Sequence, residues 1–223
     1  MKDSFSRRFK AVLALMGLVI ASSFNLAHAQ IYDFQRFISG GAGGQDPAKR
    51  QIVTSMGSYI CLGIAQGQEP RVVRMMFWSK IPQPNARLGA IAIDLGRHEG
   101  LIKNVSVGFA APGVSASVQP GHTHAFLNGL NPRIWIDVPN RGHHRPEGFA
   151  PGRMLVLNAT LGDGRTIQDV LNALHEGFAP MAQPGGLRIG VIAYYLLGGP
   201  PPGVGTINDD GGFVASRPAA SCS

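Results

Sequence analysis

The chain has 223 residues, with 20 Lys and Arg against 13 Asp and Glu, a formal charge of +7, and only two cysteines. That length supports a domain with a sizeable core and no need of staples. The positive residues are scattered rather than gathered into a basic patch with interleaved aromatics, which excludes nucleic acid from the expected partners.

The first thirty residues read MKDSFSRRFKAVLALMGLVIASSFNLAHAQ. Lys2, Arg7, Arg8 and Lys10 make a basic region, Ala11 to Ile20 an apolar one, and Ala27-His28-Ala29 a small-x-small cleavage site. This layout predicts a signal peptide over residues 1–29 and a periplasmic or secreted chain beginning at Gln30. The apolar run is shorter than the roughly twenty residues of a spanning helix, so no transmembrane segment is expected after cleavage. Cleavage leaves sixteen basic and twelve acidic residues, a formal +4 that is ordinary for a soluble domain.

Residues 30–45 begin with the short apolar segment IYDFQRFI, run into SGGAGGQ, and are expected to be a flexible lead-in. A single domain is expected over 46–198. Asp46-Pro47 reads as a helix start, a carboxylate cap followed by proline at the first helical position. Ile52, Val53, Met56, Tyr59, Ile60 and Gly63 fall at helical spacing and predict a helix over 47–65, with a strand as the competitor. From residue 71 to 160 the period changes to two, in runs such as RVVRMMFWS, LGAIAIDL, LIKNVSVGF, RIWIDVP and RMLVLNATL. Val105, Val107 and Phe109 alternate clearly, and Pro, Gly and Asn clusters separate the runs, which predicts an antiparallel sandwich or barrel.

LGDGRTIQDVLNALHEGF then predicts a helix, with Thr166 and Asp169 as a capping box. Ile167, Val170, Leu171 and Leu174 form its apolar face, and Gly177 its left-handed stop. GLRIGVIAYYLLGG reads as a central strand buried on both faces. Residues 199–223, rich in Pro and Gly, are expected to be an irregular tail. The fold class is therefore α+β: one domain, mainly antiparallel β-sheet, sandwich or barrel-like, with two helices.

His122 and His124 in PGHTH would share one face of an extended segment. His143 or His144 in RGHHRPEG could add a third ligand, the number that holds a catalytic zinc with one position open to water. Asp137 and Glu147 are nearby carboxylates. Zinc or another divalent transition metal is thus the candidate cofactor, and exposed loop histidines without a ligand are the plainer reading. The cupin arrangement is not met, because Asn128 stands where its glutamate belongs and APGRMLVLN lacks the later histidine. GHTH looks like the His-x-His of phage tail-fibre tips, where three chains surround one ion, and two ligands per chain would suffice in a homo-oligomer. Four residues identify no family.

No Gly-x-Ser-x-Gly elbow occurs. Cys61, in the apolar run YICLGIA, has no neighbouring cation to activate it, and no catalytic residue is assigned. In an exported chain Cys61 and Cys222 have one intramolecular pairing, with a buried free thiol at Cys61 as the other reading. His98 and Glu99 read as turn residues, and His175 as a solvated helix-end residue. Arg71, Arg74 and Trp78 could face outward from one strand and bind a glycan, peptide or protein of the envelope or extracellular space. The leading expectation is an exported, non-catalytic binding or envelope-associated protein. The alternative is a metal-dependent hydrolase or lyase using metal-bound water at the His-x-His site.

Overall fold

A computed structural model describes residues 29–40, 47–138, 148–178, 185–196 and 211–221. Among them, two six-stranded antiparallel sheets carry two helices, α1 (Pro47–Met56) and α2 (Ile167–Gly177). Sheet A contains β1 (Gln30–Asp33), β3 (Ile60–Gln66), β4 (Val72–Ser79), β6 (Ile102–Ala110), β9 (Met154–Leu161) and β12 (Arg217–Ala219), in the order β12-β1-β3-β4-β9-β6. Sheet B contains β2 (Arg36–Gly40), β5 (Arg87–Asp94), β7 (Ser117–Pro120), β8 (Ile134–Asp137), β10 (Arg188–Tyr194) and β11 (Gly211–Val214), in the order β2-β11-β10-β5-β8-β7. The α+β, mainly antiparallel expectation describes the molecule. No helix among the described residues is long and apolar enough to cross a membrane.

Period-two alternation builds the core between the sheets. Leu62, Ile64, Val73, Met75, Phe77, Leu155 and Leu157 point inward from sheet A and meet Leu88, Ile91, Ile93, Ile136, Ile189 and Val191 of sheet B. β10 lies between β11 and β5 and is buried on both faces along most of its length, as its unbroken apolar sequence requires.

Three expectations about the ends and the first helix are corrected. Residues 30–40 are strand rather than a flexible lead-in: β1 pairs with β3 and β12, β2 pairs with β11, and Tyr32 and Phe34 are fully buried. The tail contributes β11 and β12, so only its remainder falls outside ordered pairing or outside the described residues. The helix predicted over 47–65 ends at Met56, and Ile60–Gln66 is strand β3. Both faces of β3 are covered, so its apolar run satisfies helical and strand periods alike, and pairing with β4 decides. At the junction, Phe34 N–H donates to Gly57 O at 3.2 Å, and a Cβ on Gly57 would stand 2.1 Å from the Phe34 carbonyl oxygen.

α2 has the predicted capping box: Thr166 Oγ1 accepts from Asp169 N–H, and Asp169 Oδ2 accepts from Thr166 N–H at 2.8 Å. Val170, Ala173, Leu174 and Gly177 are its buried residues, whereas Leu171 is only half-buried. Gly177 is not a left-handed stop. It is the last helical residue, and its missing side chain admits the Leu187 carbonyl oxygen, which a Cβ would approach to 1.9 Å.

Candidate functional site

The sequence GHTHAFLNGLNPR folds into a compact Ω-loop over residues 121–133. Its ends meet where Gly121 N–H donates to Arg133 O at 3.0 Å. A single 3-10 turn, Ala125–Leu127, sits inside it. His124 caps this turn: its Nδ1 accepts from Phe126 N–H at 3.2 Å, while Leu127 N–H donates to His124 O at 2.9 Å. Leu127 and Leu130 then press onto the outer face of sheet B, joining Ala90, Ala92, Trp135, Ile192 and Val214 in a second apolar cluster. Glycines make this fit, since a Cβ on Gly212 would stand 1.7 Å from Phe126 O and one on Gly190 3.0 Å from both leucine side chains.

His122 and His124 share the indole of Trp135. The ring centroids lie 4.1 Å from Trp135 for His122 and 5.8 Å for His124, the latter nearly parallel at 24°. Trp135 Nε1–H donates to Asp137 Oδ1 at 2.6 Å, and Gln119 Nε2–H donates to Asp137 Oδ2 at 2.9 Å. Burial, and then the charge of His122, lowers the pKa of His124 below the ordinary histidine value.

Neutral His124 accepting at Nδ1 carries its proton on Nε2. In this arrangement the ring offers a metal no free lone pair unless the Phe126 bond is given up. Among the described residues no group of three or more His, Cys, Asp and Glu could hold a metal ion. His143, His144 and Glu147 lie outside the described residues.

A second constellation lies on the outer face of sheet A. Inward-pointing Val73, Met75 and Phe77 leave Arg74, Met76 and Trp78 on the opposite side of β4. Register sets Trp78 opposite Met154, Met76 opposite Val156, and Arg74 opposite Asn158. Phe109 of the edge strand β6 pairs with Val156 and is 43 % exposed. The alternation of Val105, Val107 and Phe109 suggested one shared face. The structure instead inserts a bulge between Val107 and Phe109, which turns Phe109 to the outside. Gly108 at the bulge is the sequence signal, and a Cβ there would strike the Asn158 side chain.

Arg71 stands apart from this row. Its guanidinium donates to Leu161 O and to Asp163 Oδ1 at the sheet end, and Lys103 binds the other Asp163 oxygen at 2.6 Å. The hydrogen bonds from Lys103 and Arg71 hold the Asp163 carboxyl below its ordinary pKa. Arg74 and Trp78 thus share a face, while Arg71 serves an ion-pair cluster.

The remaining sites resolve separately. Cys61 is fully buried and its sulfur is in a disulfide, whereas Cys222 lies outside the described residues. His98 Nε2 and Arg97 meet Glu176 Oε2, each at 2.9 Å, fastening the turn before β6 to α2. Glu99 pairs with Arg133. His175 Nε2 lies 3.5 Å from the buried hydroxyl of Tyr32. No family model, curated protein or solved structure matches the chain.

Proposed function

We propose that this is an exported, non-catalytic binding protein that takes an extended glycan on the outer face of sheet A. The observation that carries the reading is the pair of half-buried Trp78 and Met154 with exposed Phe109, packed over buried Val156 and set beside Arg74 and Asn158. Aromatic and apolar side chains stack on the C–H faces of sugar rings, while amide, hydroxyl and guanidinium groups bond the ring hydroxyls. Asn158 and Thr160 of β9 and Ser106 of β6 supply such neutral groups next to the apolar row. The signal-peptide layout of residues 1–29 supports export, and Gln30 opens β1, so cleavage there leaves every described strand intact.

Affinity electrophoresis of the mature chain through gels containing soluble β-glucan, xylan or solubilised peptidoglycan tests this reading. Retardation by one of these is expected, with Phe109→Ala and Asn158→Ala each lowering affinity about tenfold, the scale of one buried-contact loss. Phe109 is exposed, so its variant should stay folded. No retardation on any of the three, or retardation indifferent to both substitutions, overturns it. The metal-dependent reading rests on the convergence of His122 and His124 over Trp135, and it requires His124 to exchange its Phe126 bond for a metal ligand.

A further inference from the structure

Two copies of one short motif stand at the same end of sheet A. Ala111-Pro112-Gly113-Val114 follows β6, and Ala150-Pro151-Gly152-Arg153 precedes β9. Each is a β-turn with proline second and glycine third, closed by Val114 N–H to Ala111 O at 2.9 Å and by Arg153 N–H to Ala150 O at 3.1 Å. The two glycines take φ of 81° and 77°, the positive values that this turn demands at its third position. Ala111 N–H donates to Met154 O at 3.0 Å, which sets the turns side by side, and Phe149 exchanges both backbone bonds with Leu88 of β5. These segments enclose a half-open cavity of about 180 Å³, whose lining includes Arg87, Val114, Ser115, Val138, Phe149 and Arg153. We propose that this cavity takes a carboxylate, and that the glycan bound beside it is an acidic chain bearing uronic acid.

The argument begins with charge. Two guanidinium groups and no Asp or Glu line the cavity among the described residues. Arg71, Arg97, Arg133, Arg188 and Arg217 each meet a carboxylate of this chain, whereas Arg87 and Arg153 meet none among the described residues. Arg87 is set in place beforehand, because its Nη1 donates to Pro84 O at 2.8 Å and to Ala86 O at 2.7 Å. Those bonds leave the edge formed by Nε–H and Nη2–H, a fork whose parallel donors match the two oxygens of a carboxylate. A guanidinium already held costs little further ordering when the anion arrives. Arg153 adds a second charge from an exposed stem. Val114, Val138 and Phe149 make the rest of the wall apolar, and a lower local dielectric strengthens the attraction.

Size and position name the ligand class. About 180 Å³ is less than the roughly 300–1,000 Å³ of a pocket that encloses a whole drug-sized ligand, so the cavity holds one group of a longer molecule. Gly152 N–H donates to Ser79 O at 2.8 Å, one residue beyond Trp78, and Arg153 adjoins Met154. Phe109 precedes the first turn by two residues. The cavity therefore lies at the end of sheet A where Trp78, Met154 and Phe109 stand. The uronic acid rests on the glycan reading of that face, while the carboxylate site stands on the cavity alone.

Affinity electrophoresis of the mature chain in glucuronoxylan, and in the same polymer with its carboxyl groups reduced to alcohols, tests the chain. Affinity should be about tenfold higher for the acidic polymer, the scale of one charge-assisted bond. Arg87→Gln and Arg153→Gln should each remove about that factor. Arg50→Gln, on exposed α1, deletes the same charge and should change nothing. Arg153 is exposed, so its variant should stay folded even where the Arg87 variant does not. Equal affinity for the two polymers, or an equal loss in Arg50→Gln, overturns the acidic assignment and leaves the glycan reading standing. Failure of both polymers to retard the chain overturns the uronic acid together with that reading, and the cavity is then tested by itself. In nitrogen–proton spectra of the arginine side chains, sodium glucuronate should shift the Nε–H signals of Arg87 and Arg153 and not that of Arg50. No shift at those two, an equal shift with neutral methyl glucoside, or tighter binding of inorganic phosphate overturns the carboxylate site.

Discussion

Leu174→Ala in α2 should be among the most damaging single substitutions in the chain, and its cost can be worked from the structure. The side chain is fully buried against the main core. Removing three carbon atoms at about 0.8 kcal/mol each forfeits about 2.4 kcal/mol of transfer free energy. Incomplete collapse of the resulting cavity brings the total to about 3–4 kcal/mol, within the range for buried leucines. Leu171 is half-buried on the same helix, and its alanine variant should cost only about 1–2 kcal/mol. Thr166→Ala breaks the capping box and should cost about 1 kcal/mol. Thr166 and Leu174 lie at opposite ends of the helix, so the double variant should be additive within about 0.5 kcal/mol. Urea midpoints at a common m-value measure all four. A Leu171 variant as costly as the Leu174 variant, or both within about 0.5 kcal/mol of the parent, would refute this assignment of the helix face.

Non-reducing peptide mapping should join Cys61 to Cys222, the only other cysteine; reduction should then cost up to about 4–5 kcal/mol for so long a loop, and a free Cys222 thiol would sink the pairing. Burial pushes the Tyr32 hydroxyl up to about 12. The stability it contributes is complete below pH 10 and is lost as pH rises toward 12, so one tyrosine should ionise only with alkaline unfolding in a spectrophotometric titration. Calorimetric zinc titration should show no single tight site, since His124 Nδ1 is committed to Phe126. A stoichiometric site abolished by His124→Ala would instead raise the metal-dependent enzyme from alternative to leading function.

Local rules written in the sequence account for much of this molecule. Thr166 and Asp169 announce the start of α2 because capping needs only four consecutive residues. The alternating runs announce antiparallel strands because side-chain period is a property of the single strand. His122 and His124 reach one side of the chain for the same local reason, though only the fold sets Trp135 beneath them. Tertiary structure decided the rest. Ile60–Gln66 became strand because β1 and β4 compete successfully for its backbone groups, overriding a spacing that also suits a helix. Residues 30–40 and 211–219 looked too short and glycine-rich to order themselves, yet strands far away in sequence supply their hydrogen-bond partners. Phe109 faces outward because a bulge against β9 reversed its side, and Gly177 is glycine because the Leu187 carbonyl group, beyond the helix end, needs the space. Each of these outcomes depends on a partner outside the segment itself, and a pattern read along one segment carries no information about that partner.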